Sequence, residues 1–192
     1  MAGVCGLIAV AVALVILSLR QPDVIEYVPT PIGGAEPVGP GPHLLTVDSS
    51  DPERWRYLSL ARGSVVENPG PLDWDLAFRR FQVLVNGGAG FPGAGGALDL
   101  GAVPLDSVTR LPGAGYVGME AVGRDTSHAV LDRWYSYSLT THVLKPKDRT
   151  LALRTAVGRP VALRFVSYYC PSAQPGCVTL RYTFLEPAAA VP

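Results

Sequence analysis

Three histidines, two methionines and three cysteines are the side chains of this sequence best suited to holding a metal or a haem iron. Haem iron takes its axial ligands from His, Met, Cys or Tyr, held at a fixed separation across a flat apolar slot. Met119 and His128 fall in one irregular, turn-rich stretch, and His142 precedes Val143 at a hairpin. A pair drawn from Met119, His128 and His142 is therefore the candidate set for bracketing a haem. His43 lies beside a Pro/Gly segment, where an isolated histidine is ordinarily a solvated or packed side chain, and is set aside. Cys170 and Cys177 bracket the turn-rich segment from Pro171 to Gly176, between two strand patterns. A bridge between them would close a short loop, add about 2–3 kcal/mol and require an oxidising compartment. The competing reading is two unpaired, buried thiols in a reduced protein.

Other chemistries lack their motifs. There is no G-x-S-x-G elbow, no H-E-x-x-H pair and no zinc-ligand spacing. The glycine-rich loop from Asn86 to Gly96 follows a strand pattern, as a phosphate-binding loop does. It has no Lys-Ser/Thr ending, and Ala97 to Pro104 is not an amphipathic helix, so the context for phosphate chemistry is missing. The expectation is a protein that is not an enzyme. Sixteen basic residues balance sixteen acidic ones. That leaves no positive excess for neutralising phosphates, so nucleic acid is not an expected partner.

The elements that must position these residues are strands and loops. Eighteen prolines and 21 glycines are too many for a helical bundle, since proline removes a backbone donor and glycine costs conformational entropy. Met1 to Leu19 carries no charge until Arg20 and as a helix would span about 29 Å, the thickness of a bilayer's hydrocarbon core. No Lys or Arg precedes the run and no A-x-A-like exit follows it, which favours a retained anchor over a cleaved signal peptide. Cys5, within that run, reads as a lipid-facing or helix-contact cysteine. The sequence thus divides into a transmembrane helix at 1–20, a Pro/Gly-rich tether at 21–42, a β domain at 43–187 and a tail at 188–192. The tether is either a free stalk or a segment lying along a partner's surface.

Within the domain, Val178, Leu180, Tyr182 and Phe184 alternate with Thr179, Arg181 and Thr183, the period-two signature of a half-buried strand. Val161, Leu163 and Phe165, and Leu151 and Leu153, follow the same rule, so the C-terminal 40 or so residues read as a three-stranded meander. Trp55 to Ala61 and Ser64 to Glu67 are further strands. Asp73 to Asn86 is the longest strand pattern, with its phase flipping at Arg79-Arg80, which predicts a β-bulge or a strand passing between two sheets. Residues Leu100 to Asp132 read as irregular. Trp134-Tyr135-Ser136-Tyr137 and Tyr168-Tyr169 are aromatic clusters, read first as core packing with hydroxyls bonded to backbone.

The run Asp73 to Gly90 (DWDLAFRRFQVLVNGGAG) carries a W-D-[LI]-A-F element leading to an N-G-G loop. With Trp134-Tyr135, Thr141-His142-Val143-Leu144, the strand Thr150 to Ala156 and Ser167-Tyr168-Tyr169, it resembles the HmuY-like family of bacterial envelope proteins over residues 45–186. The resemblance implies an all-β fold, export from the cytoplasm and, in the haemophores of the family, iron held between two His or Met side chains in loops. This chain departs from the family in having an apolar anchor in place of a lipobox. Anchor, cysteines and resemblance together place it at the cytoplasmic (inner) membrane, single-pass, with an all-β, antiparallel C-terminal domain in the periplasm. The function expected first is a non-catalytic accessory or structural subunit of a bacterial membrane complex, redox and photosynthetic assemblies being the natural class. Its partners would be integral membrane subunits, and the bilayer through residues 1–19. The alternative is a haem-binding, haemophore-like envelope protein.

Overall fold

The computed structural model describes residues 23–33, 38–39 and 41–185. The helix expected at 1–20 and the tail at 188–192 lie outside the described residues, as do parts of the tether. Among the described residues no helix is long and apolar enough to cross a membrane.

The domain is all-β and antiparallel. One sheet has five strands in the order β1 (His43–Asp48), β13 (Gln174–Phe184), β12 (Pro160–Cys170), β11 (Leu151–Arg154), β6 (Gly96–Asp99). The other has four, in the order β3 (Ser64–Val66), β2 (Arg56–Ser59), β4 (Leu76–Arg79), β5 (Gln82–Val85). Two short hairpins complete it, β7 (Glu120–Val122) with β8 (Asp125–Ser127) and β9 (Tyr135–Tyr137) with β10 (Leu144–Pro146). The alternating residues of β12 and β13 do what their spacing requires. Val161, Leu163 and Phe165 join Val178, Leu180 and Tyr182 in one buried cluster with Leu58, Leu76, Phe78, Val83 and Val85 of the second sheet. The two sheets therefore share a core, and burial of such side chains is worth about 1.5–3 kcal/mol each.

Three features differ from the sequence expectation. The Asp73–Asn86 pattern is not one strand with a bulge. β4 and β5 form a hairpin on the same sheet, in register Phe78↔Val83 and Arg79↔Gln82, and the phase flips because Arg80 turns the chain at φ 55°. The first sheet is more than half-buried, since Leu105 and Leu111 of the irregular 100–116 segment pack on Ala152 and Ala162 of its outer face, while Arg164, Arg181 and Thr183 stay part-exposed there. The tether's described part is not a free stalk, because it lies along the domain itself. Tyr27 donates its N–H to the Tyr169 carbonyl at 3.0 Å, the Ser167 hydroxyl donates to the Ile25 carbonyl, and Thr30 donates its N–H to Thr46 at 2.9 Å. The chain's own β-sheet edge thus takes up the donors and acceptors that proline-rich backbone otherwise presents to water.

Cys170 and Cys177 are joined by a disulfide that closes the turn between β12 and β13. That turn is held a second time. Ser172 and Ala173 have φ of 63° and 54°, which points their N–H groups together at the Glu26 carboxylate, at 3.0 and 2.8 Å.

Asp75 fastens the two sheets to each other. Its carboxylate is buried and accepts the N–H of Leu60, after β2, and of Ala156, after β11, both at 2.8 Å. Burial raises its pKa above the ordinary carboxylate value, while those two N–H groups and the Arg159 charge act in the other direction. Asp75→Asn places an amide NH2 against one of two buried N–H donors. A loss of about 1–3 kcal/mol of unfolding free energy is expected, read as a lower denaturant midpoint at unchanged slope.

Candidate functional site

The glycine-rich loop after β5 performs a structural task. Asn86 donates through Nδ2 to the carbonyls of Pro71 and Trp74, each at 2.9 Å, and accepts the N–H of Gly93 through Oδ1 at 3.2 Å. This folds the loop back on the end of β4. Gly88, at φ 88°, lies so close to the neighbouring segment that a Cβ there would stand 2.4 Å from the Met119 nitrogen. Only glycine permits that approach. The gain is a pair of backbone bonds, Met119 N–H to Gly87 and Ala89 N–H to Met119, both at 2.8 Å, which fix Met119 beneath β5.

Met119 is 3 % exposed, and its Sδ accepts a weak bond from the Val85 N–H at 3.5 Å. It lines a cleft of about 390 Å³ together with Trp55, Arg79, Phe81 and Tyr135. Phe81 and Tyr135 meet edge to face at 5.5 Å, and the Arg79 guanidinium lies 4.6 Å above the Trp55 ring. Asp125 and Asp132 close the rim. A thioether, aromatic side chains, an arginine and two carboxylates thus line one cleft, a mixture that suits a ligand with both apolar and polar parts.

His128 does not reach this cleft. It is fully buried, with Nε2 at 2.9 Å from the Val117 carbonyl and Nδ1 accepting the N–H groups of Val130 and Leu131 at 3.2 and 3.1 Å. Both ring nitrogens are in use, so neither has a lone pair for iron. The assignment Nε2–H with Nδ1 unprotonated follows from these partners. Burial lowers the ring's pKa, although the Val117 bond and the Asp132 and Glu120 charges oppose it. The neutral ring holds the turn that leads into the 3₁₀ turn Leu131–Arg133, and the Asp132 carboxylate accepts the His128 N–H at 2.8 Å in support.

His142 is exposed at the end of the β9–β10 loop, with φ 54°. Its Nδ1 is 2.8 Å from the Tyr137 hydroxyl, and Nε2 has no hydrogen-bond partner among the described residues. It lies outside the Met119 cleft. The structure therefore separates the three candidate ligands instead of bringing them together. One lines a cleft, one is a buried strut and one stands on a surface hairpin.

On the other side of the 131–133 turn is a cleft of about 250 Å³, walled by Trp134 and Phe165 and rimmed by Arg133, Lys147, Arg149 and Asp99. Trp134 and Phe165 stack at 4.5 Å. The Trp134 indole donates to the Phe81 carbonyl at 2.9 Å, so Trp134 joins the walls of the two clefts. Of the two aromatic clusters, Trp134, Tyr168 and Tyr169 are core, Tyr135 is half-buried and Tyr137 is exposed. The Tyr169 hydroxyl accepts the Leu144 N–H at 2.9 Å, while the buried Tyr168 hydroxyl has no partner among the described residues. Among the described residues, Asp48, Cys170 and Cys177 group closely enough to hold a metal ion, but the disulfide consumes both thiols.

The family model described as HmuY protein matches residues 51–182. The chain belongs to the HmuY family. Among solved structures it is similar to a Bacteroides fragilis protein described as a candidate lipoprotein, at 19% identity and TM-score 0.61, covering 77% of this chain and 91% of that one. It is similar to a Bacteroides vulgatus protein described as a candidate HmuY-like heme binding protein, at 18% identity and TM-score 0.61, covering 77% and 93%. An apo HmuY analogue from Tannerella forsythia gives 16% identity and TM-score 0.59, covering 79% and 100%. No curated protein matches. At these identities the solved structures establish the fold. The expectation of an accessory subunit of a redox or photosynthetic membrane complex is overturned by this family membership. That expectation rested on the apolar run, the tether and the lack of a recognisable site, and the family model and a solved neighbour described as heme binding favour the alternative instead.

Because burial depresses the His128 pKa in the folded state, the unfolded chain takes up a proton first as pH falls through about 6.5. Stability from this residue is present above that pH and is lost as pH falls further, toward the folded pKa. His128→Gln is expected to lower stability by about 1–3 kcal/mol at pH 7.5 and to flatten the decline between pH 7 and 5.5. Parallel urea titrations of both proteins check this.

Proposed function

We propose that this protein binds haem in the cleft lined by Met119, Trp55, Phe81 and Tyr135, as an envelope protein held at the membrane by residues 1–19. The observation that carries the reading is Met119 in the lining of a cleft shared with Trp55, Phe81 and Tyr135, in a chain of the HmuY family whose relative in Bacteroides vulgatus is described as heme binding. The donor chemistry fits: a thioether is an accepted haem-iron ligand, and aromatic side chains suit the porphyrin faces.

Each residue has a part that follows from its place. Met119, whose Sδ takes only a weak bond from the Val85 N–H, would be the residue to hold the iron. Phe81 and Tyr135 exclude water from the apolar ring. Arg79, stacked over Trp55, offers the cleft's positive charge to a carboxylate. When bound, haem would supply an iron centre with a strong Soret absorbance. His128 serves the site by shaping the turn that contributes Asp132 and Tyr135. His142, outside the cleft, is not needed for the first ligand.

The apolar run of residues 1–19 supports membrane attachment, and the disulfide between Cys170 and Cys177 supports an oxidising compartment such as the periplasm. Among the described residues no acid–base or nucleophilic constellation supports an enzymatic reading.

Adding haemin to the purified full-length protein is expected to give a saturable Soret shift. Met119→Leu conserves volume, so folding is retained, and affinity should fall by at least about 10-fold, the lower end of what losing even an outer partner of a metal ligand costs. His142→Ala should leave the titration unchanged. A wild-type spectrum identical to free haemin would overturn the proposal.

A further inference from the structure

The cleft walled by Trp134 and Phe165 takes no part in the haem reading, and its charges distinguish it from the Met119 cleft. Arg133, Lys147 and Arg149 stand at its rim. Asp99, whose carboxylate lines the cleft with them, is used on both oxygens: Oδ2 accepts from the Arg149 guanidinium at 2.8 Å and Oδ1 from the Gly101 N–H at 2.7 Å. Arg149 is thereby neutralised. Arg133 and Lys147 have no ion-pair partner among the described residues. In the sequence each has an aspartate beside it, Asp132 and Asp148, yet the fold draws these acids elsewhere. The Asp132 carboxylate accepts the His128 N–H at 2.8 Å and lines the Met119 cleft, and Asp148 pairs with Arg164 of β12.

Backbone bonds hold the two cations at this cleft. Arg133 ends the 3₁₀ turn Leu131–Arg133 and donates its N–H to the Val130 carbonyl at 3.2 Å. Lys147 donates its N–H to the Trp134 carbonyl at 2.8 Å, and its own carbonyl accepts the Arg149 N–H at 2.8 Å. The walls are apolar: Trp134, Phe165 and Leu151 are all buried, and the two rings stack at 4.5 Å. A cleft that carries free charge of one sign beside low-dielectric walls concentrates the opposite charge. A guanidinium fork matches the two oxygens of a carboxylate, and an ammonium adds a point charge. The cleft holds about 250 Å³, against the roughly 300–1,000 Å³ of clefts that take drug-sized ligands. Such a space fits one ring and its acid group.

We infer that this cleft is a second binding site, for a small organic carboxylate with a planar apolar body: the carboxylate meets Arg133 and Lys147, and the ring packs against Trp134 and Phe165. The inference is independent of haem binding at Met119. In the Met119 cleft Asp125 and Asp132 accompany Arg79, so an acid of this kind is directed to the Trp134 side. The chain's own lysines supply the reporter. Lys145 and Lys147 are the two it has, and Lys145 belongs to β10 and lines a different groove, with Ile25 and Tyr169.

Reductive methylation of the full-length protein with isotope-labelled formaldehyde keeps the charge of both lysines and gives each a methyl resonance, assigned with Lys147→Gln. Phenylacetate should shift the Lys147 signal saturably, with a dissociation constant of about 1 mM or tighter, and leave Lys145 in place. Phenylacetamide, which has the ring without the charge, and acetate, which has the charge without the ring, should each bind at least about 10-fold more weakly. Arg133→Gln alters an exposed side chain and should weaken phenylacetate by about 10-fold at an unchanged denaturant midpoint. Acetate or phenylacetamide binding as well as phenylacetate overturns the site, as does an unchanged affinity in Arg133→Gln or the absence of a saturable shift at Lys147. Loss of the phenylacetate shift on adding gallium protoporphyrin, a diamagnetic stand-in for haem, makes the cleft part of the haem site and overturns its being a second one.

Discussion

The Asp75 carboxylate accepts one N–H from the loop after β2 and one from the loop after β11, so each sheet is fastened to the other through a single buried acceptor. The Tyr182 hydroxyl donates to the Leu60 carbonyl of the same loop, and burial, with the nearby Asp75 charge, pushes its pKa up to about 12. Two groups that would be costly to bury alone are made tolerable by meeting backbone partners on both sides of the core. This accounts for the Asp in the Trp74-Asp75-Leu76-Ala77-Phe78 run. Trp74 packs edge to face with Tyr57 and Phe91, Leu76 and Phe78 fill the core, and Asp75 sets where the two sheets meet.

The candidate site depends on that junction. Asn86 follows β5 and ties its loop to Trp74. The loop's glycines then let the 117–119 segment pass close enough for backbone bonding. Met119 is held under β5 because of this chain of contacts, not because of anything in its own neighbourhood in sequence. On the opposite wall His128 holds the 128–134 segment, and the two clefts lie on either side of that segment. A histidine chosen for its ability to bind iron proves to be a strut, because the same two ring nitrogens that make it a ligand also make it a good partner for three backbone groups.

The tether shows a related economy. Its prolines prevent it from forming sheet or helix, yet its remaining N–H and C=O groups, with Glu26, find partners along β12 and at the β12–β13 turn. Holding Ile25 rather than leaving it on a free stalk converts a flexible link into a fixed short one. That makes the described part of the tether a fixed feature of the domain.

The strands that carry alternating apolar residues were readable from the sequence, as were the C-terminal meander, the closing cysteines and the run that marks the family. Each of these depends on residues within one or two strands of one another, where a period of two is enough to assign faces. The phase flip at Arg79-Arg80 marked an irregularity in the sequence, but only the tertiary structure decided that Arg80 turns the chain back on itself there. The tertiary structure also decided that Leu105 and Leu111 pack on the outer face of the first sheet, and that Met119, His128 and His142 are dispersed rather than convergent. Those outcomes are set by close approaches between segments far apart in the chain, such as Gly88 against Met119 and Ser167 against Ile25, and composition and spacing carry no record of them.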